Sequence, residues 1–103
     1  MKKSEQIEIN KQIEEAIFEI NENIEAFGVE YKERLRTCNA RVYHTPFYLI
    51  LESYNTYVAA IDLRTRTLYD FLRLIYGYAS TSAQHIAKFS DDYNAQKILR
   101  YYK

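Results

Sequence analysis

Apolar residues recur along the first third of the chain at helical spacing. Ile13, Ile17, Ile20, Ile24 and Phe27 are separated by four, three, four and three positions, which places them on one face of an α-helix. Ser4 is suited to cap its start, with Glu5 and Glu8 in the early turns, where negative charge suits the helix dipole. The pattern stays in phase beyond Gly28 through Tyr31, Leu35 and Cys38. One helix over about residues 5–37, bent at the glycine, is therefore expected in preference to two helices broken at Phe27-Gly28. A mid-helix glycine costs only about 1 kcal/mol relative to alanine. The seam suits either a coiled coil or a helix packed on a core.

The periodicity changes after residue 37. Thr45 precedes Pro46 and is biased to extended backbone, so residues 37–46 read as the helix-to-sheet connection. FYLILESY (47–54) and YVAAID (57–62) are rich in strand formers and flank Tyr54-Asn55, read as a turn or a bulge. The next turn, 62–66, carries Arg64 and Arg66 at its tip. Thr67–Arg73 then alternates, with Leu68, Asp70 and Leu72 opposite Tyr69, Phe71 and Arg73, as an antiparallel strand does. Thr81 and Gln84 have the spacing of a capping box, followed by Ile86 and Phe89 one turn apart. Ser90-Asp91-Asp92 is read as the cap of a second short helix over 93–101. The expected class is α+β in a single domain, 1–103. Residues 1–38 form an acidic amphipathic helix. Residues 47–103 form an antiparallel sheet of about three strands and one or two C-terminal helices.

Composition adds one asymmetry. The formal net charge is zero, but residues 1–30 hold three lysines against eight glutamates, and residues 31–103 hold eleven lysines and arginines against six acidic residues. Glu8, Lys11, Glu15, Glu19, Glu22 and Glu25 share the outer face of the first helix. Like charges at such spacings cost a few tenths of a kcal/mol each, so this face is either a solvated surface or an acidic strip that docks on a basic one. No run of about 18 apolar residues exists for a membrane span. The N-terminus has no apolar core of a signal peptide. The single Cys38 has no internal disulfide partner and fits a reducing cytoplasm.

Catalytic patterns are missing: there is no phosphate-binding glycine loop and no nucleophile elbow. Cys38, His44 and His85 lack paired metal-ligand spacing, so neither metal nor cofactor is expected and a non-enzymatic role is favoured. Cys38 is expected to be a small core residue, and His85 to bond a sheet backbone or a tyrosine. Arg64, Arg66 and Arg73 lie close in sequence to Tyr54, Tyr57, Tyr69, Tyr76 and Tyr78 and would suit nucleic acid. A pI near 6.7 lacks the basic footprint of a dedicated binder. Protein binding fits better, because Tyr and Arg are enriched in interface hot spots. Self-association through the isoleucine seam is the remaining alternative.

Ser53, Tyr54, Thr56, Val58, Ala59 and Ile61, followed by Tyr78, Thr81, Ser82, His85, Ile86 and Phe89, form an S-Y-x-T-x-V-A-x-I strand and a Y-A-x-T-S-x-x-H-I-x-x-F helix start. This pattern resembles small proteins of phages and mobile elements in Gram-positive and gut bacteria. Ala79 stands where that pattern usually has serine, and the resemblance covers residues 53–90 only. It implies a phage-type accessory protein in a bacterial cytoplasm. By analogy of genomic class, it implies an inhibitor of a host defence protein such as a CRISPR nuclease (anti-CRISPR type). The residues expected to meet that partner are Glu15, Glu19, Glu22, Glu25, Arg64 and Arg66, the glutamates imitating phosphate charge in a nucleic-acid groove.

Overall fold

The computed structural model describes residues 2–35, 39–77 and 79–102. Cys38 and Tyr78, both singled out above, lie outside them. The elements in chain order are α1 (Lys3–Phe27), β1 (Glu30–Arg34), β2 (Ala40–His44), β3 (Tyr48–Ser53), β4 (Thr56–Asp62), β5 (Thr67–Asp70), α2 (Leu72–Ile75), α3 (Ser80–Asp92) and β6 (Lys97–Arg100). The fold is α+β, with a long N-terminal helix, a mostly antiparallel sheet and short helices after it. Among the described residues the sheet has six strands in sequence order, rather than about three.

Helix α1 is shorter than its periodicity suggests. It ends at Phe27 because Gly28 adopts φ 76° and ψ −179°, a region open essentially to glycine alone. Its N–H closes the last turn on the Ile24 carbonyl at 2.7 Å. Tyr31, which continued the helical phase, lies instead in β1, and Leu35 follows that strand. The N-terminus also differs from expectation. Lys2 holds the N-cap position without a side-chain cap, and Ser4 lies inside the first turn.

Strands β1 to β5 form an antiparallel meander. Tyr54 and Asn55 join β3 to β4 with φ of 51° and 67°, the doubly positive φ of a type I′ hairpin turn. Part of the connection expected over 37–46 is β2, which pairs with β3 from Ala40↔Ser53 to His44↔Leu49. Strand β5 stops at Asp70 rather than running to Arg73. The Asp70 carboxylate accepts the Leu72 N–H at 3.1 Å and so starts the single turn of α2. The second C-terminal helix is absent among the described residues. Residues 97–100 are β6, parallel to β5 from Thr67↔Lys97 to Asp70↔Arg100. A parallel neighbour needs a crossover, and α2 and α3 provide it.

The two faces of the sheet are packed separately. Leu49, Leu51, Ala59, Ile61 and Leu68 pack with Ile86 and Phe89 of α3. Tyr48, Ile50, Ala60 and Leu99 pack with Ile13 and Ile20 of α1. Alternate residues of β3 and β4 thus serve opposite cores, and both strands read as nearly continuous apolar runs. A bulge modifies this alternation. Leu51 pairs with Ala59 but Glu52 pairs with Tyr57, leaving Val58 as the extra residue. Val58 therefore joins Ala59 in the α3-side core, and Tyr57 turns toward the α1 side.

On α1 the deepest stripe is Ile13, Ala16, Ile20 and Asn23. It is rotated from the isoleucine seam, so Ile17 and Ile24 flank the contact and Phe27 is exposed. Replacing Gly28 by alanine meets no steric neighbour but forces a side chain into the glycine region. It is expected to destabilise the fold by about 1–3 kcal/mol, measured as a lowered urea midpoint with an unchanged m-value.

Candidate functional site

Two clusters contain the residues singled out from the sequence. The first lies where α1 crosses the β4–β5 turn. Asp62 is buried at the end of β4 and accepts hydrogen bonds from Arg64: the backbone N–H at 2.8 Å, Nε at 3.0 Å and Nη2 at 3.0 Å. The same Nη2 reaches Glu19 Oε1 of α1 at 2.5 Å and the Tyr48 hydroxyl at 3.3 Å. The guanidinium also lies over the rings of Phe47 and Tyr48, at 4.9 and 5.6 Å from their centroids. Hydrogen bonds from Arg64 to Asp62 and Glu19 hold its pKa above the ordinary arginine value. Burial, followed by the Glu19 and Asp62 charges, pushes the Tyr48 phenol well above its usual range. Arg64 is therefore a clamp between helix and sheet rather than a free fingertip.

Arg66 has φ 62°. It donates from Nη2 to the Tyr93 carbonyl at the end of α3, and its own carbonyl accepts the Gln96 N–H at 2.9 Å. It secures the crossover to β6. Glu15 lines the same cleft as Glu19, Tyr48 and Asp62, but neither it nor Glu22 or Glu25 pairs with either arginine. These three glutamates are exposed, and no ion pair engages them among the described residues. The six candidates thus separate into Glu19 with Arg64, Arg66 alone, and three solvated carboxylates.

The second cluster joins β3 to α3. Ser53 Oγ lies 2.9 Å from both Ser82 Oγ and His85 Nδ1. All three residues are buried, and the Tyr54 ring packs 5.8 Å from the imidazole. His85 bonds a serine side chain, not the expected backbone or tyrosine hydroxyl. Ser82 points inward because it shares the buried face of α3 with His85, Ile86 and Phe89, and the helix starts at Ser80 with Ala79 at the N-cap and no side-chain cap. The expected Thr81–Gln84 capping box therefore does not form. Tyr76 donates to or accepts from Thr56 Oγ1 at 2.7 Å. It and Tyr54 wall an open cleft of about 500 Å³ over the first turn of α3. A serine bonded to a histidine resembles half of a nucleophilic dyad. Ser53 has no exposed surface, however, so the pair acts as a lock between hairpin and helix.

No family model, curated protein or solved structure matches the chain. Five apolar residues of the two motifs quoted above lie together on this side of the sheet. Val58, Ala59, Ile61, Ile86 and Phe89 share one core, beneath the Ser53–Ser82–His85 bonds. Among the described residues no cluster of three or more His, Cys, Asp or Glu has metal-site geometry. No helix among them is long and apolar enough to cross a membrane.

The serine–histidine lock was not anticipated from sequence. Its partners are 29 and 32 residues from Ser53, and periodicity carries no information on such a pairing. Burial lowers the His85 pKa below its ordinary value of 6.5. The unfolded chain then binds the additional proton first as pH falls, so stability is full above about pH 6.5 and declines below it. Urea midpoints should fall between pH 7 and pH 5, and His85→Gln should flatten that slope. An equally steep slope in the variant would assign the effect to other groups.

Proposed function

We propose that the chain is a non-enzymatic accessory protein of a phage or mobile element that binds and inhibits a host defence protein, such as a CRISPR nuclease. The observation that carries this reading is the division among the α1 glutamates. Glu19 is engaged in holding the fold, whereas Glu15, Glu22 and Glu25 are exposed without ion pairs among the described residues. Repulsion between like charges one turn apart works against the helix, which suits a surface kept for a partner. Such carboxylates steer association toward a basic groove, and a nuclease that holds nucleic acid offers one. The resemblance over residues 53–90 supplies the genomic class.

Nucleic-acid binding has weaker support. Arg64 is bonded to Asp62 and Glu19, Arg66 to the Tyr93 carbonyl, and Arg73 stacks 4.6 Å from the Tyr102 ring centroid. The arginines that would contact phosphate already have intramolecular duties.

The test is target cleavage by a panel of purified CRISPR nucleases, titrated with wild-type protein and with Glu15→Lys/Glu22→Lys/Glu25→Lys. Glu19 is left in place because its loss would release Arg64. Wild-type protein is expected to inhibit at least one nuclease, and the variant to need at least tenfold more protein, roughly 1.4 kcal/mol of lost binding. Full inhibition by the variant would contradict docking through this face.

A further inference from the structure

The outer face of α1 is not purely acidic. Phe18 projects from it at 66% exposure and Ile7, three turns earlier, at 60%. Residues three and four apart are neighbours on a helix surface, so Phe18 is surrounded by Glu14, Glu15, Asn21 and Glu22. Asn21 also lines a groove of about 260 Å³ with Ile17 of α1, Tyr57 of β4, Phe71 and Ile75. Ile75 is 47% exposed. The β4 bulge brings Tyr57 to this side. The volume lies below the roughly 300–1,000 Å³ of small-molecule sites and suits an inserted side chain.

We infer that Phe18 and this groove form the apolar centre of a docking surface for a basic amphipathic helix of a partner protein, with Glu14, Glu15, Glu22 and Glu25 as its rim. The inference rests on the protein-binding reading above and names the chemistry of the partner. Charge decides among the occupants. An anionic membrane and a nucleic acid are repelled by the carboxylates that encircle Phe18, and a second copy of the same face meets like charge. A basic polypeptide with an apolar ridge satisfies both parts, in the helix-in-groove manner. Phosphate mimicry alone leaves the exposed Phe18 without a role. An aromatic anchor inside a polar rim is the usual arrangement of an interface hot spot.

The test uses the full chain and two fluorescent probes, an 18-residue amphipathic helix of leucine and lysine and an oligolysine of equal charge, read by fluorescence anisotropy. The amphipathic probe is expected to bind at least tenfold more tightly than oligolysine. Phe18→Ala should remove that advantage while leaving the urea midpoint unchanged. Glu15→Gln/Glu22→Gln/Glu25→Gln should weaken both probes and flatten the dependence on salt. Equal affinity for the two probes, or unchanged affinity in Phe18→Ala, would overturn the inference. Phe18→Ala is then compared with the glutamate reversal in the nuclease assay. Full inhibition by Phe18→Ala alongside loss on charge reversal would also overturn the anchor, leaving acidic docking standing. Phe18-dependent probe binding with no nuclease inhibited would keep the anchor and remove the CRISPR-nuclease form of the inhibitor reading.

Discussion

Burial of β3 and β4 on both faces is the constraint on which the rest of the molecule depends. Neither strand has a solvent side: the odd residues Leu49 and Leu51 serve one core and the even residues Tyr48 and Ile50 the other. Both α1 and α3 are therefore required, and each has to be held in position over its face. Apolar area supplies the bulk of the attachment, at about 25 cal/mol per Å² removed from water. Directional bonds fix where each helix sits. On the α3 side these are Ser53 with Ser82 and His85. On the α1 side they are Arg64 with Glu19, together with Gln6 donating to the Arg100 carbonyl and Asn10 exchanging bonds with the Tyr102 backbone.

This arrangement explains why one helix carries two kinds of glutamate. The inner edge of α1 needs a carboxylate to complete the Asp62–Arg64 clamp, and Glu19 supplies it. The Arg100–Asp70 pair, at 2.8 Å, performs a similar task between β5 and β6. The carboxylates farther round the helix meet no cation among the described residues. They surround Phe18, whose ring is left largely in water. A helix that only covers a sheet has little use for either feature, and both fit the docking surface proposed above.

Much of the architecture was legible from residue pattern. The long helix, the 48–53 and 56–62 hairpin strands, the reversal at residues 62–66 and the helix carrying Ile86 and Phe89 follow from period and turn chemistry. The departures have physical causes. Gly28 kept the apolar phase intact but takes a backbone conformation that ends the helix. Strand β1, EYKER, is exposed along its whole length and has no apolar alternation to reveal it. Strand β6 contributes Leu99 to the core while its neighbours are exposed, too weak a pattern to distinguish from a helix end. At the candidate site, the acidic strip was visible as composition. The engagement of Arg64 and Arg66 depends on contacts with α1 and α3 that are distant in sequence.

If the outer carboxylates of α1 are kept for a partner, the fold does not need them. The most direct measurement is the urea stability at low salt of Glu15→Gln/Glu22→Gln/Glu25→Gln beside the wild type. Relief of like-charge repulsion should leave the variant as stable or a few tenths of a kcal/mol more stable. A loss of about 1 kcal/mol or more would mean that these carboxylates hold the structure together, and the assignment of this face to a partner would fail.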